Sequence, residues 1–593
     1  MRKLLIALFT LTLIAPQLNA QSDVLPNDHA PWELITDKGE DYRSALGLEI
    51  TTPPSFPVRT MAEWEEIQSL VITWAGFNRI LKQIAFYAKE ECEVIIIASS
   101  ESSVINYLNS NNAGGPPFDN LDNITIIEDD FDSIWGRDYG AHTIYRDDVE
   151  ELLLVDWIYN RNRPADDNVP LTIGQHLGLP VYATTQSPYD LMATGGNFMA
   201  DGMGTAFSSE LIFEENEGGN TWWGAQYPDH TEDEIDAIME DFMGIDRYIK
   251  MDVLPYDGIH HIDMHMKLLD EETLIIGEYP AGVADGPQIE ANMEYVLENF
   301  DSSFGTPYEI VRVQMPPDGN AYPNTNGAYR TYTNMVFVNG TVLVPTYEAQ
   351  YDQPALEIIQ NELPGYNVVG IECNDIIELS GAIHCITKAV GVSDPLLIVH
   401  DHLEDTYEDV LDYQVDATVK HVSGIASADV VYRVDGSDWT SQPMTLTDAT
   451  NDIWTAYIPA QAVGAQVQYY IDADATSGKQ QMRPIVAPEG HWTFNILDSS
   501  VGIEELQEVS PIAEVYPNPA NAITIIKLDM PSSENIDLTL KDMLGRTVEV
   551  IHQGSVGFGE QKYFIDASRL NPGAYVVDLT IGVQRYSRPL MVR

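Results

Sequence analysis

The sequence is short of positive charge. Of 593 residues only 30 are Lys or Arg, against 92 Asp or Glu, for a net charge of −62. A field of that sign repels nucleic acid and anionic membrane surfaces and excludes nucleic-acid partners, while drawing cationic solutes inward. Cysteine is almost absent, with Cys92, Cys373 and Cys385 the only three. Three cysteines in so long a chain build no disulfide framework, and the odd number leaves at least one thiol unpaired. Long apolar runs are missing as well. After the first twenty residues, no stretch is long and apolar enough to span a bilayer.

What is present begins with an export signal. Arg2 and Lys3, the apolar run from Leu4 to Ile14 and the small-residue site Leu18-Asn19-Ala20 predict a signal peptide over residues 1–20. Residues 21–57 are polar and Pro-rich and read as a leader that packs loosely or is trimmed. Hydrophobic residues make up 44% of the chain, enough for a large folded core. From residue 58 to 395, runs of strand length alternate with helical faces. Leu70–Trp74 precedes a helix over Asn78–Glu91 with Ile80, Leu81, Ile84 and Ala88 on one side, and Val94–Ala98 follows. Further strands are expected near 124–127, 152–158, 273–277, 310–313, 335–338 and 342–344, and Thr231-Glu232-Asp233-Glu234 has capping-box spacing. This is an α/β domain whose strand–helix–strand units suit a quasi-symmetric ring. After Pro395 the pattern becomes alternating, as at Tyr413, Val415, Ala417 and Val419, and predicts an immunoglobulin-like sandwich over 396–497. A linker (498–511) leads to a last β-rich module over 512–593, a small second sandwich.

The chemistry centres on Gly381-Ala382-Ile383-His384-Cys385-Ile386-Thr387, which sets a cysteine behind a small-residue turn. Upstream lie Trp135-Gly136-Arg137-Asp138 and His260-His261-Ile262-Asp263. A thiol, an imidazole and two carboxylates are what attack on a planar cationic carbon requires, and the guanidinium of arginine is such a carbon. Carboxylates hold and orient its plane. A thiolate attacks the central carbon, and a histidine passes a proton to departing ammonia before deprotonating water. On an extended backbone His261 and Asp263, two apart, would face one way. His260, His261, Asp263 and His265 could alternatively form a metal cluster. A cysteine-protease pairing of His384 with Cys385 fails, since neighbours on an extended chain point apart.

Five segments occur in a telling order: Met61-Ala62-Glu63-Trp64-Glu65, Trp135-Gly136-Arg137-Asp138-Tyr139-Gly140, Gly195-Gly196-Asn197-Phe198-Met199-Ala200-Asp201-Gly202, His261-Ile262-Asp263 and Ile383-His384-Cys385. Residues 58–395 resemble the agmatine deiminase and Porphyromonas-type peptidylarginine deiminase family on these segments. The resemblance implies a five-bladed pseudo-symmetric α/β propeller, the guanidino-group-modifying fold, with no cofactor and no metal. It implies Cys385 as nucleophile through a thiouronium intermediate, His261 as general acid and base, and Asp138 and Asp263 as guanidinium clamps. Trp135 and Asn334 align with positions that line the pocket.

Tyr159-Asn160-Arg161-Asn162-Arg163-Pro164 matches the place where the peptidylarginine branch binds a C-terminal carboxylate with two arginines. Arg161 and Arg163 suit that task, and surface pairing with Asp166 and Asp167 is the plainer alternative. Thr194 stands where agmatine deiminases usually carry Glu. Two features depart from the peptidylarginine branch: Ile386 follows the nucleophile in place of Arg, and Gly258 stands where a Tyr is usual. The tail resembles a type IX secretion sorting domain at Tyr516-Pro517-Asn518-Pro519, Leu544-Gly545 and Pro572-Gly573-Ala574-Tyr575. The expectation is therefore an exported arginine deiminase, secreted or on the outer-membrane surface, acting on arginine-containing peptides or proteins and handled by type IX secretion machinery. An agmatine deiminase and a catalytically silent adhesin are the alternatives.

Overall fold

The structure is a computed structural model that describes residues 25–27, 49–218 and 228–498, and residues 512–593 apart from 517, 521–522, 531–533, 543–545, 558, 572 and 582–583. The expected signal peptide, most of the leader and the linker beyond residue 498 lie outside the described residues. So do Pro517, Leu544, Gly545 and Pro572 of the tail motif. The chain divides into two compact units, residues 1–495 and 496–593.

In the first unit one arrangement occurs five times: a short antiparallel strand beside a strand–helix–strand whose two strands pair in parallel. Lys388–Gly391 lies on Ile67–Thr73, followed by helix Asn78–Ala88 and Glu93–Ala98. His142–Arg146 lies on Leu152–Trp157, followed by Val169–Leu177 and Val181–Thr184. Met199–Ala200 lies on Thr205–Ser209, followed by Glu232–Met243 and Arg247–Met251. Met266–Leu268 lies on Thr273–Glu278, followed by Gly286–Asn299 and Glu309–Gln314. Val336–Val338 lies on Thr341–Thr346, followed by Ala349–Glu362 and Asn367–Glu372. In four cases the short strand comes just before its partner. In the first it comes from the far end of this region, so early and late segments share one sheet.

These elements follow from residue pattern. Ile67–Thr73 is buried on both faces apart from Gln68, as suits a continuous apolar strand. Helix Asn78–Ala88 buries Ile80, Leu81, Ile84, Ala85 and Ala88 along one stripe, and stops three residues earlier than its pattern suggests. The Thr231 capping box forms as read: the Glu234 carboxylate accepts from the Thr231 N–H at 2.8 Å, and the Thr231 hydroxyl accepts from the Glu234 N–H at 3.4 Å. Gly244 ends that helix at φ 67, where a Cβ would meet the Val58 carbonyl at 1.9 Å.

The five short strands matter for what precedes each. Turns Gly136–Tyr139, Gly195–Asn197, Ile262–Met264 and His384–Ile386 lead into four of them, and the loop at 331–334 leads into the fifth. Each therefore sits beside the carboxyl end of the parallel strands, where α/β sheets usually hold their ligands.

The two sheets formed after residue 396 in the first unit are antiparallel. One sheet has the order Leu397–Val399, Tyr413–Lys420, Ile453–Ile458, Thr445–Asp448. The other runs Thr440–Pro443, Ile425–Val434, Gln466–Ala475, Gln480–Arg483, with Trp492–Asn495 also on Gln466–Ala475. Tyr413, Val415, Ala417 and Val419 are buried in alternation, as their spacing predicts. Arg483 bonds Glu271 at 2.8 Å and Lys479 bonds Glu66, joining these sheets to the α/β part. The second unit has two antiparallel sheets, one of Ile512–Tyr516, Ile523–Met530 and Gly559–Asp566, the other of Thr547–Val556, Glu534–Asp542, Gly573–Ile581 and Gln584–Val592. Its own core includes Ile526, Leu538, Leu540, Ile565, Val577 and Leu579.

Candidate active site

The turns ahead of the five short strands bring Asp138, His261, Asp263, Asn334 and Cys385 together, though the outermost of them are 247 residues apart in sequence. Asn334 organises the turn that carries Cys385. Its amide donates to Cys385 Sγ at 3.1 Å, and its Oδ1 accepts from the His384 and Cys385 N–H groups at 3.0 and 3.4 Å. Cys385 Sγ lies 3.5 Å from Asp263 Oδ2. Asp138 Oδ1 accepts from the Gly196 N–H at 3.1 Å and faces His261 Nδ1 at 3.6 Å. His261 Nε2 meets the Thr194 hydroxyl at 3.2 Å. Glycine is required at 196, because a Cβ there would stand 2.5 Å from His261 Nδ1 and 2.8 Å from Asp138 Oδ1.

Asp138 Oδ2 and Asp263 Oδ1 are both buried and have no hydrogen-bond partner. An unsatisfied buried acceptor costs about 1–3 kcal/mol, more when charged. Two such oxygens beside one sulfur describe a site completed by a ligand rich in N–H donors.

Trp135, Arg161 and Arg163 are all buried, Arg163 to 1% exposure. Arg163 donates to the Tyr159 hydroxyl at 3.2 Å. The charge of Arg161 is felt at both Asp138 and His261. Both arginines lie below the surface, and Asp166, which feels the charge of Arg163, accepts from the Ser133 hydroxyl at 2.5 Å and from the N–H groups of Asp132 and Ser133.

The backbone between His261 and Asp263 is not extended, so the shared face of the extended case does not arise. Ile262–Met264 is a tight 3-10 turn, with the Met264 N–H donating to the His261 carbonyl at 3.2 Å and the His265 N–H to the Ile262 carbonyl at 3.1 Å. The turn points His261 at Asp138 and sets Asp263 against His384. Among the described residues no three His, Cys, Asp or Glu side chains are arranged to hold a metal ion.

Two participants carry no role in the sequence reading. His384 bridges carboxylates, with Nδ1 2.7 Å from Asp263 Oδ2 and Nε2 2.7 Å from Glu63 Oε1. Glu63 also takes Arg137 at 3.1 Å and Lys267 at 2.5 Å. Through His384 this paired group of charges holds the Asp263 carboxylate. Glu63 stands in the first of the five ordered segments, which is the one signal that pointed to it.

Burial sets the protonation states. It pushes Asp138 up to about 7, helped by the charge of Asp263. It pulls His261 down to about 3 against the attraction of Asp263, so the imidazole is neutral at physiological pH. Burial would also raise Asp263, but the hydrogen bond and charge of His384 outweigh it and hold that carboxyl below its ordinary value. Cys385 is pushed well above an ordinary thiol by burial and by the charges of Asp263 and Asp138. A cation arriving between the carboxylates cancels those charges and favours the thiolate.

A pH dependence follows. For Asp138 to hold a cation it must be ionised, and protonation removes that charge as pH falls through about 7. For one required deprotonation, kcat/KM should rise about tenfold from pH 6 to pH 8, with the rise lost in Asp138→Asn. Stability moves the opposite way. A carboxyl raised in the folded state stabilises it below the ordinary carboxylate range, and that contribution is lost as pH rises through about 7.

Residues 56–390 match the family model described as Porphyromonas-type peptidyl-arginine deiminase. The chain belongs to that family. It is a deiminase, a hydrolase of carbon–nitrogen bonds in linear amidines. Residues 514–593 match a secretion system C-terminal sorting domain, which marks the deiminase for export to the cell surface or medium. No helix among the described residues is long and apolar enough to cross a membrane. A Legionella pneumophila (strain Paris) protein bearing the name agmatine deiminase is 23% identical over 364 residues, covering 57% of this chain and 96% of its own length. A solved agmatine deiminase of Enterococcus faecalis is 18% identical with a TM-score of 0.48, covering 58% of this chain and 98% of that one. The agmatine deiminase of C. jejuni is 20% identical with a TM-score of 0.45, covering 56% and 96%.

Proposed function

We propose that this deiminase converts arginine at the C-terminus of peptides to citrulline, releasing ammonia. The observation that carries the peptide reading is the buried pair Arg161 and Arg163, of which Arg161 is close enough for its charge to be felt at Asp138 and His261. Agmatine brings an ammonium in place of a carboxylate, and two guanidiniums at its far end would repel it. A peptide C-terminus brings the carboxylate that such a pair binds best. The agmatine reading has Ile386 in its favour.

In the proposed reaction the substrate guanidinium lies between Asp138 and Asp263, its N–H groups meeting the two unpartnered oxygens. The Cys385 proton passes to neutral His261, and sulfur bonds to the guanidinium carbon as the C=N electron pair moves to nitrogen. His261 returns the proton to a terminal nitrogen, the C–N bond breaks and ammonia departs, leaving a thiouronium. His261 then deprotonates a water that adds to the same carbon. The C–S bond breaks with its electrons returning to sulfur, which takes the proton back from His261, while the hydroxyl on carbon loses its proton to solvent as the C=O forms and the ureido product is released. The five recurrent sheet units fit the blades of a propeller with these residues at its axis. Residues 396–497 fit an immunoglobulin-like sandwich, and residues 512–593 a sorting domain read by type IX secretion machinery, after a signal peptide at 1–20.

Ureido product should be measured on a peptide ending in arginine, its amide, free arginine and agmatine. The acid-ending peptide should turn over best. Arg161→Ala with Arg163→Ala should raise its KM by about tenfold or more while changing that of the amide little. Turnover of agmatine alone, or equal losses on acid and amide, overturns the peptide reading.

A further inference from the structure

A short piece of the leader lies against the rim of this site. Three successive main-chain carbonyls accept from the three side chains read above as substrate contacts. Leu25 accepts from Trp135 Nε1 at 2.9 Å, Pro26 from Arg163 Nη2 at 2.7 Å and Asn27 from Arg161 Nε at 3.1 Å. The other side of the segment is fastened near the nucleophile. The Asn27 N–H donates to the Leu379 carbonyl at 2.9 Å and its side-chain amide to the Ser380 carbonyl at 3.2 Å. Asn27 is fully buried, and Cys385, five residues beyond Ser380, has no solvent exposure.

We infer that Trp135, Arg163 and Arg161 form a rim that reads the main chain of an extended peptide, and that Leu25–Asn27 is such a peptide held in cis, closing the site until it is displaced. The inference rests on the reading of Arg161 and Arg163 as substrate contacts and adds an occupant that competes for them. Carbonyls and indole or guanidinium N–H groups pair regardless of side chain, so the rim accepts varied peptides. A carboxylate binds guanidinium about twice as strongly as a neutral carbonyl does. A substrate with a free C-terminus therefore displaces the segment, whereas a small guanidino compound without one does not. Once a substrate carboxylate takes the three rim donors, only the two hydrogen bonds from Asn27 hold the segment, an anchor weak enough to release.

The test uses the full chain and iodoacetamide, reading alkylation of each cysteine by peptide mass mapping. Asn27→Pro removes the N–H to Leu379 and the side-chain bond to Ser380 without touching the catalytic groups. Alkylation of Cys385 should become about tenfold faster or more in Asn27→Pro, with Cys92 and Cys373 unchanged and the same Tm. A synthetic peptide of residues 22–30 added to Asn27→Pro should slow it again. KM for a peptide ending in arginine should fall in the variant with kcat unchanged. Equal Cys385 alkylation rates in the two proteins, or no protection by the added peptide, overturn the inference. Alkylation is read without turnover, so a protein that turns over none of the four substrates defeats the functional reading and leaves this comparison decisive for the segment.

Discussion

Cys385→Ala should lower formation of ureido product by about 10⁴-fold or more, to the uncatalysed background. No other sulfur can take over. Cys92 lies outside the cluster with its thiol pushed up to about 12 by burial, and the Cys373 thiol is turned to the Ile371 carbonyl at 3.3 Å. The loss should fall on kcat, because Asp138 and Asp263 are untouched and still offer their unpartnered oxygens to the cation. Tm should hold or rise, since the change removes a buried group that faces two carboxylates. Progress curves and equilibrium binding of a peptide ending in arginine separate the two effects. A variant that binds normally and turns over at a tenth of the wild-type rate would remove covalent catalysis from the account.

Asp263→Asn should cost about 10³-fold in kcat/KM. Truncating one partner of a buried hydrogen-bonded charge pair at a binding site costs about 2–5 kcal/mol, and each 1.36 kcal/mol is a factor of ten. Here the carboxylate has two dependants. One of its oxygens holds His384 at 2.7 Å and the other is open to the guanidinium. The amide can satisfy neither as an anion would, and it leaves His384 leaning on Glu63 alone. Both KM and kcat should suffer, unlike the Cys385 variant. A loss smaller than tenfold would mean that Asp138 alone holds the cation.

Much of the site was legible in residue type and order. A rare cysteine, a histidine two residues from an aspartate and a second aspartate behind a tryptophan all proved to be neighbours. Strands such as Ile67–Thr73 and Glu93–Ala98 were legible because their apolar runs are buried on both faces. The fivefold recurrence was implied by the family resemblance and not by residue periodicity, because it is carried by strand pairing and turn placement while helix lengths vary from 9 to 14 residues. The bend at Ile262–Met264 was not legible because two-residue spacing satisfies both a strand and this turn. Glu63 and His384 meet across 321 residues, a separation that no local pattern encodes. Leu25–Asn27 was invisible for another reason. Its contacts are made by main-chain carbonyls, which every residue possesses.

The central claim is that carbon–sulfur bonding occurs at Cys385 between the two clamping carboxylates. It is tested most directly by acid-quenching the enzyme during turnover of a peptide ending in arginine and mapping the mass of each cysteine-containing fragment. The account predicts an adduct of substrate minus ammonia on the Cys385 fragment alone, decaying as substrate is exhausted. Product forming with no adduct on Cys385, or an adduct on Cys92 or Cys373, would contradict it.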